Sequence, residues 1–138
     1  MKNKILFVVC LLFGLMFINA GLNKFFNYIP VPEDMPEQAM EMFMAMMKIT
    51  WLMPLIATFE IIGGALIMLP RFRALGAIVI TPTMIGILVH HFALGIGLIM
   101  PLSLFCILTW IIVESKDRYL PLVQIKNTSP TLSPESND

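Results

Sequence analysis

A glutamate, Glu60, interrupts the apolar run IATFEIIGG at residues 56–64. A charge at the centre of a helix in a nonpolar medium costs about 2.5–3.5 kcal/mol on insertion scales. Such a residue is retained where it faces protein or a water-filled cavity. On a helix the neighbours of residue 60 lie three and four positions away. They are Ile56, Ala57, Gly63 and Gly64. Three of these four are small, which is the composition of a helix-packing face. Glu60 is therefore expected to point into a bundle, where a carboxyl can bind a polar ligand or carry a proton.

Other polar residues have matching spacing. Gly76, Thr83, His90 and Gly97 recur every seven residues, with Gly86 and Ala93 beside them, so His90 lies on an interior stripe. His91 is turned about 100° away, next to Met84, Ile87 and Leu88, and reads as lipid- or interface-facing. Asn19, Asn23 and Asn27 recur every four residues near the end of the first apolar run, with Lys24 among them. At a rise of about 1.5 Å per residue, Glu60, Asn19 and His90 fall at roughly 14, 21 and 24 Å from one end of their spans. They can line one polar cavity with Glu60 as its floor and Asn23 and Lys24 at its mouth. Thr50 and Thr58 are further candidates for its wall. The candidate site is thus Glu60, His90, Asn19, Asn23 and Lys24, with His91 at its margin. The plainer alternative is structural. A protonated Glu60 bonded to an Asn or His would lock helices together, and intramembrane asparagines commonly serve as interhelical glue.

No catalytic group and no metal site is expected. Cys10 and Cys106 are the only cysteines and make no C-x-x-C. Buried in apolar spans, such thiols are usually inert. Adjacent His90 and His91 point in different directions and cannot clamp a haem iron between them. Five methionines in AMEMFMAMMK (Met40, Met42, Met44, Met46 and Met47) have the thioether chemistry that suits Cu(I). They equally suit an apolar helix lying on a membrane.

The elements that position these residues follow from composition. Hydrophobic residues make up 58% of the 138 and charged residues 13%, against about 25% in soluble domains. Mean hydropathy is +0.85. Runs at about 5–22, 49–69, 74–94 and 97–113 approach the ~20 residues a bilayer span needs. The expected fold is all-α, an integral membrane four-helix bundle over residues 1–114. Pro30, Pro32 and Pro36 stiffen the first connection. Asp34 and Glu37 have capping-box spacing, so an extra amphipathic helix is expected before the second span. Pro54 is expected to kink that span. Residues 115–138 turn polar and read as a disordered cytoplasmic tail. Its Asn127-Thr128-Ser129 matches a glycosylation acceptor, on the wrong side of the membrane.

With the N-terminus inside, Lys2, Lys4, Arg71, Arg73, Lys116, Arg118 and Lys126 are cytoplasmic, leaving only Lys24 and Lys48 of the nine outside. Both termini are then cytoplasmic and the polar cavity opens outward. MKNK and the following run also resemble a signal peptide. However, that run is 18 residues, longer than the typical ~7–15, and Ile18 is a poor residue three before a cut after Ala20. A retained span is the reading. Balanced charge gives no reason to expect nucleic acid. The lipid bilayer is the expected surrounding.

The stretches GLNKFFNYIPVPEDMP, TWLMPLIATFEIIGGALIML and TPTMIGILVHHFAL, followed by Pro101, resemble the DoxX-like family of small four-helix bacterial membrane proteins. The resemblance runs from about residue 14 to 113. Its motifs are Gly21, Lys24 and Phe25, then Glu60 with Gly63 and Gly64, then Pro82 and His91 or His90. The resemblance implies a bundle in the bacterial inner membrane. Its name-giving relatives are membrane subunits associated with thiosulfate:quinone oxidoreductase, and others are tied to redox-stress complexes. It thus implies an auxiliary membrane subunit of a quinone-linked redox complex, not an enzyme on its own. The ligand stays open, with a quinone as the candidate. Redox-complex subunits or further copies of the chain are the candidate partners. A small proton-coupled solute carrier and an assembly scaffold are the alternatives. Small multidrug pumps have a similar size, but their membrane glutamate is in the first helix, and the first helix here has no acid.

Overall fold

The structure, a computed structural model, describes residues 2–119. It contains α1 (Lys2–Phe26), α2 (Glu37–Lys48), α3 (Leu52–Met68), α4 (Arg73–Leu94) and α5 (Ile99–Glu114), then a short 3-10 turn at Lys116–Arg118. The described residues form no strand. The expected all-α bundle, with a further helix ahead of the second span, is the architecture found. α1, α3, α4 and α5 share one core that includes Cys10, Phe13 and Phe17 of α1, Ile67 of α3, Ile80 and Met84 of α4, and Leu108 and Ile111 of α5. The outer faces are apolar too, with Ile5, Leu12, Val89 and Ile99 among the exposed side chains. A helix that is hydrophobic all round belongs in a nonpolar solvent.

Glycine sets how closely the helices approach. A Cβ on Gly14 would lie 2.5 Å from the Gly64 carbonyl oxygen, and one on Gly64 would lie 2.7 Å from that of Gly14. On the other side of α3, a Cβ on Gly76 would meet the Ile67 nitrogen at 2.5 Å and the Gly63 oxygen at 2.8 Å. α3 is therefore held between α1 and α4 by near backbone contact, the packing mode of small residues in membrane helices.

The boundaries depart from expectation in four places. First, α1 and α4 are each long and apolar enough to cross a membrane, and α2 with α3 adds a third span only as one pair bent by 93°. The 16 residues of α5 reach about 24 Å, short of the ~30 Å hydrocarbon core. Gly95–Gly97 does not lengthen it, because Gly95 (φ 65°) and Gly97 (φ 60°) take left-handed conformations that end α4. Second, the break falls at residues 49–51 rather than at Pro54. An unbroken helix would drive the Pro54 ring into the Thr50 carbonyl. Starting α3 at Leu52 puts the proline in a first turn, where it is tolerated. Third, no capping box forms. Pro36 is the N-cap, without a side-chain bond, and its carbonyl accepts from the Ala39 and Met40 N–H groups at 2.9 and 3.0 Å. Fourth, the segment after Ser115 starts as an ordered turn. Arg118 Nη1 donates to the Arg71 carbonyl at 2.7 Å and the Tyr119 hydroxyl to that of Ala74 at 2.9 Å. The tail's remainder, with Asn127, lies outside the described residues.

A buried ion pair at the candidate functional site

Glu60 is 2% exposed, at the core-facing side of α3. Its partner is Lys24, whose Nζ donates to Oε2 at 2.7 Å and to Oε1 at 3.0 Å. Local sequence explains the contact. Side chains on a helix lean toward its N-terminus, so Lys24 reaches back along α1 to the level of Gly21. A Cβ on Gly21 would lie 2.7 Å from the Ala57 carbonyl oxygen and 3.3 Å from the Glu60 Cβ. The missing side chain lets α1 close on α3, and the lysine one turn later bridges the gap. The spacing Gly-x-x-Lys is thus a device for satisfying one buried carboxylate.

The pair forms one side of a cavity of about 460 Å3 between α2, α3 and α4. Its wall is mostly apolar, from Met46, Leu52, Met53, Ile56, Phe59 and Ile87. Thr83, Gly86, His90 and His91 contribute from α4, together with Pro82. The 93° bend makes this space, because it carries α2 across the end of the bundle instead of along α3. A second cavity of about 370 Å3 lies under the loop before α2, and His90 and His91 line it as well, with Asp34 and Met35 among the others. The two rings stand edge to face with centroids 5.5 Å apart. His91 is therefore on the cavity wall and not on a lipid-facing surface. Its Nδ1 lies 2.9 Å from the Ile87 carbonyl oxygen, an i−4 contact that holds the ring against its own helix.

Of the residues singled out in the sequence, Glu60, Lys24, His90 and His91 come together. Asn19 and Asn23 do not line the cavity. Asn19 Oδ1 accepts from the Tyr28 hydroxyl at 2.6 Å, and Asn23 Oδ1 from the Ile29 N–H at 2.7 Å. Asn27 takes a left-handed conformation (φ 49°), and its N–H donates to the Asn23 carbonyl at 2.7 Å. Asparagine tolerates that conformation at a helix end. The asparagine stripe therefore terminates α1 and turns the chain back. Thr58 is also elsewhere, with its hydroxyl bonded to the Pro54 carbonyl at 2.7 Å. Thr50 lies exposed in the bend. The apolar wall residues carried no chemical signal in the sequence, and only the bend brings Met46 opposite α4. The two cysteines are separate in character, Cys10 buried and Cys106 exposed, and both are free. Among the described residues no group of three or more His, Cys, Asp or Glu side chains is arranged to hold a metal ion.

All-helical architecture, apolar outer faces and a buried charge pair define a small helical membrane protein. The chain belongs to the DoxX family, whose family model matches residues 5–94. That match spans α1 to α4 and includes the whole ion-pair site. No curated protein and no solved structure matches the chain.

Proposed function

We propose that this protein is a non-catalytic membrane subunit of a quinone-linked redox complex in the bacterial inner membrane, and that the cavity beside Lys24 and Glu60 holds the quinone. The observation that carries the reading is the cavity itself. At about 460 Å3 it falls in the usual range for small-molecule sites, ~300–1,000 Å3. Such sites pair apolar walls with a few placed polar groups. Here Phe59, Ile56 and Ile87 suit a flat ring, and Lys24, Glu60, His90 and His91 are the ionisable groups in the wall. A quinone carbonyl accepts hydrogen bonds, and the Lys24 ammonium and a histidine N–H are the donors on offer. Glu60 fixes the ammonium by a two-oxygen contact.

The orientation is part of the same reading. Arg71, Arg73, Lys116 and Arg118 gather at the end away from the cavity, so the positive-inside rule makes that end cytoplasmic and opens the cavity outward. A proton-coupled carrier finds less support. Its carboxyl must take up and release protons in each cycle, and here an ammonium sits 2.7 Å from Glu60.

The test is gentle isolation from native membranes, with native mass spectrometry and quinone analysis of the extract. A stoichiometric quinone whose retention falls in a folded His90→Ala variant, or a co-purifying redox subunit, supports the reading. A quinone-free homo-oligomer that drives pH-dependent solute flux in vesicles overturns it in favour of the carrier.

A further inference from the structure

A further cavity, of about 350 Å3, lies at the other end of α1. It is lined by Asn3, Leu6 and Phe7 of α1, Pro70 and Arg73 at the α3–α4 connection, and Arg118 after α5. Two arginines thus border a space that no carboxylate among the described residues lines. Among the described residues the one ion pair is Lys24–Glu60, so neither Arg73 nor Arg118 is neutralised by an acid within that set. Glu114 and Asp117 are nearby in the chain, but neither lines this cavity or forms an ion pair. Arg73 is 9% exposed, with Nε 3.4 Å from the Ile67 carbonyl oxygen. Arg118 is held by its bond to the Arg71 carbonyl. Arg73 is therefore positioned by burial, and Arg118, which is exposed, by its backbone bond.

We propose that this cavity binds the headgroup of one anionic phospholipid. Planar guanidinium groups bind phosphate oxygens through paired N–H donors. Basic pockets between membrane helices are known to take such headgroups. With two arginines and no carboxylate among the described lining residues, the cavity favours net negative charge over a zwitterionic headgroup, whose ammonium finds no partner in that set. The wall supplies what the start of an acyl chain needs, because Leu6 and Phe7 of α1 line it and Phe7 is exposed. Bound there, one lipid would join the start of α1, the start of α4 and the turn after α5. This site is separate from the Lys24–Glu60 cavity and does not rest on its function.

The experiment is native mass spectrometry of the full chain, delipidated and then offered phosphatidylglycerol and phosphatidylethanolamine in equal amounts. Arg118→Gln and Arg73→Gln are compared with the parent, and folding is checked by circular dichroism. The expected result is preferential retention of phosphatidylglycerol, reduced about fivefold by each substitution, the effect of ~1 kcal/mol per cation. Retention of phosphatidylethanolamine should be unchanged. Arg73 is buried, so if its variant misfolds the exposed Arg118→Gln decides alone. Equal retention of the two lipids overturns the proposal, as does an unaltered preference in the folded variants. Inorganic phosphate at millimolar concentration displacing the lipid would mark a free-anion site and overturn it too.

Discussion

The two ends of α1 handle charge in opposite ways. Near its C-terminal end, Lys24 meets a carboxylate from α3, and the pair is satisfied inside the protein. At its N-terminal end, Arg73 and Arg118 border a cavity that no acid among the described residues lines. The first arrangement closes helices on one another and leaves little net field. The second leaves two cations without an acidic partner among the described residues. Both rest on close α1–α3 packing, but only one is self-sufficient. The same helix thus packs beside a neutralised cation at one depth and beside cations unpaired within the described residues at another.

The sharpest way to break this comparison is to remove one partner of the internal pair. Lys24→Met leaves Glu60 buried without its cation. Breaking a buried pair on one side costs about 3–5 kcal/mol, while replacing both members with apolar groups is often neutral. Lys24→Met should therefore melt well below the parent in detergent, and Lys24→Met/Glu60→Leu should recover most of the loss. If the double variant is no more stable than the single one, the pair is not self-contained as described.

The next effect tests the packing that makes the pair possible. Gly14→Ala puts a Cβ 2.5 Å from both the Gly64 carbonyl oxygen and the Met68 Cγ. Overpacking of this kind costs about 1–3 kcal/mol. Thermal melting should fall accordingly, and the Lys24–Glu60 coupling in a double-mutant cycle should shrink as α1 moves off α3. A variant as stable as the parent would mean that the α1–α3 contact is looser than the geometry requires.

A smaller effect separates the two histidines from the ion pair. If the cavity holds a quinone, His90→Ala removes a donor from its wall and should weaken binding about tenfold, the worth of roughly 1.4 kcal/mol, with little change in melting temperature. A large loss of stability with unchanged binding would instead make His90 a packing residue.

Much of this architecture was readable from residue types. Apolar runs fixed the helices to within a few residues, because lipid leaves a backbone few alternatives. Glu60 was expected to face inward from the small residues around it, and it does. The Lys24 contact was only half legible. The lysine was expected at the cavity mouth, but its direct reach to Glu60 depends on side-chain lean and on Gly21. The asparagines were read by spacing alone, which says that they share a face. It does not say that each oxygen is taken by the returning chain at Tyr28 and Ile29. The histidines misled differently. A helical wheel turns His91 away from His90, but the cavity is wide enough to include both once α2 swings across it. A bend of 93° has no period of its own in a sequence. Pro54 hinted at it, and sterics put the break one turn earlier.

The smallest effect concerns the basic end. Tyr119 donates to the Ala74 carbonyl, and burial pushes its phenol above the usual value. A raised folded pKa means that this group's contribution is fully present below the unfolded value of about 10 and is lost as pH climbs through the folded one. Phenolate has no proton to donate, so the turn after α5 loosens over that window. Tyr119→Phe should cost about 1 kcal/mol or less at neutral pH. It should also remove this part of the alkaline decline that the parent has. The phenolate absorbance difference between parent and variant reports Tyr119 directly. A midpoint at or below the ordinary tyrosine value would mean that the hydroxyl is solvated. The turn carrying Arg118 would then be pinned through the Arg71 carbonyl alone.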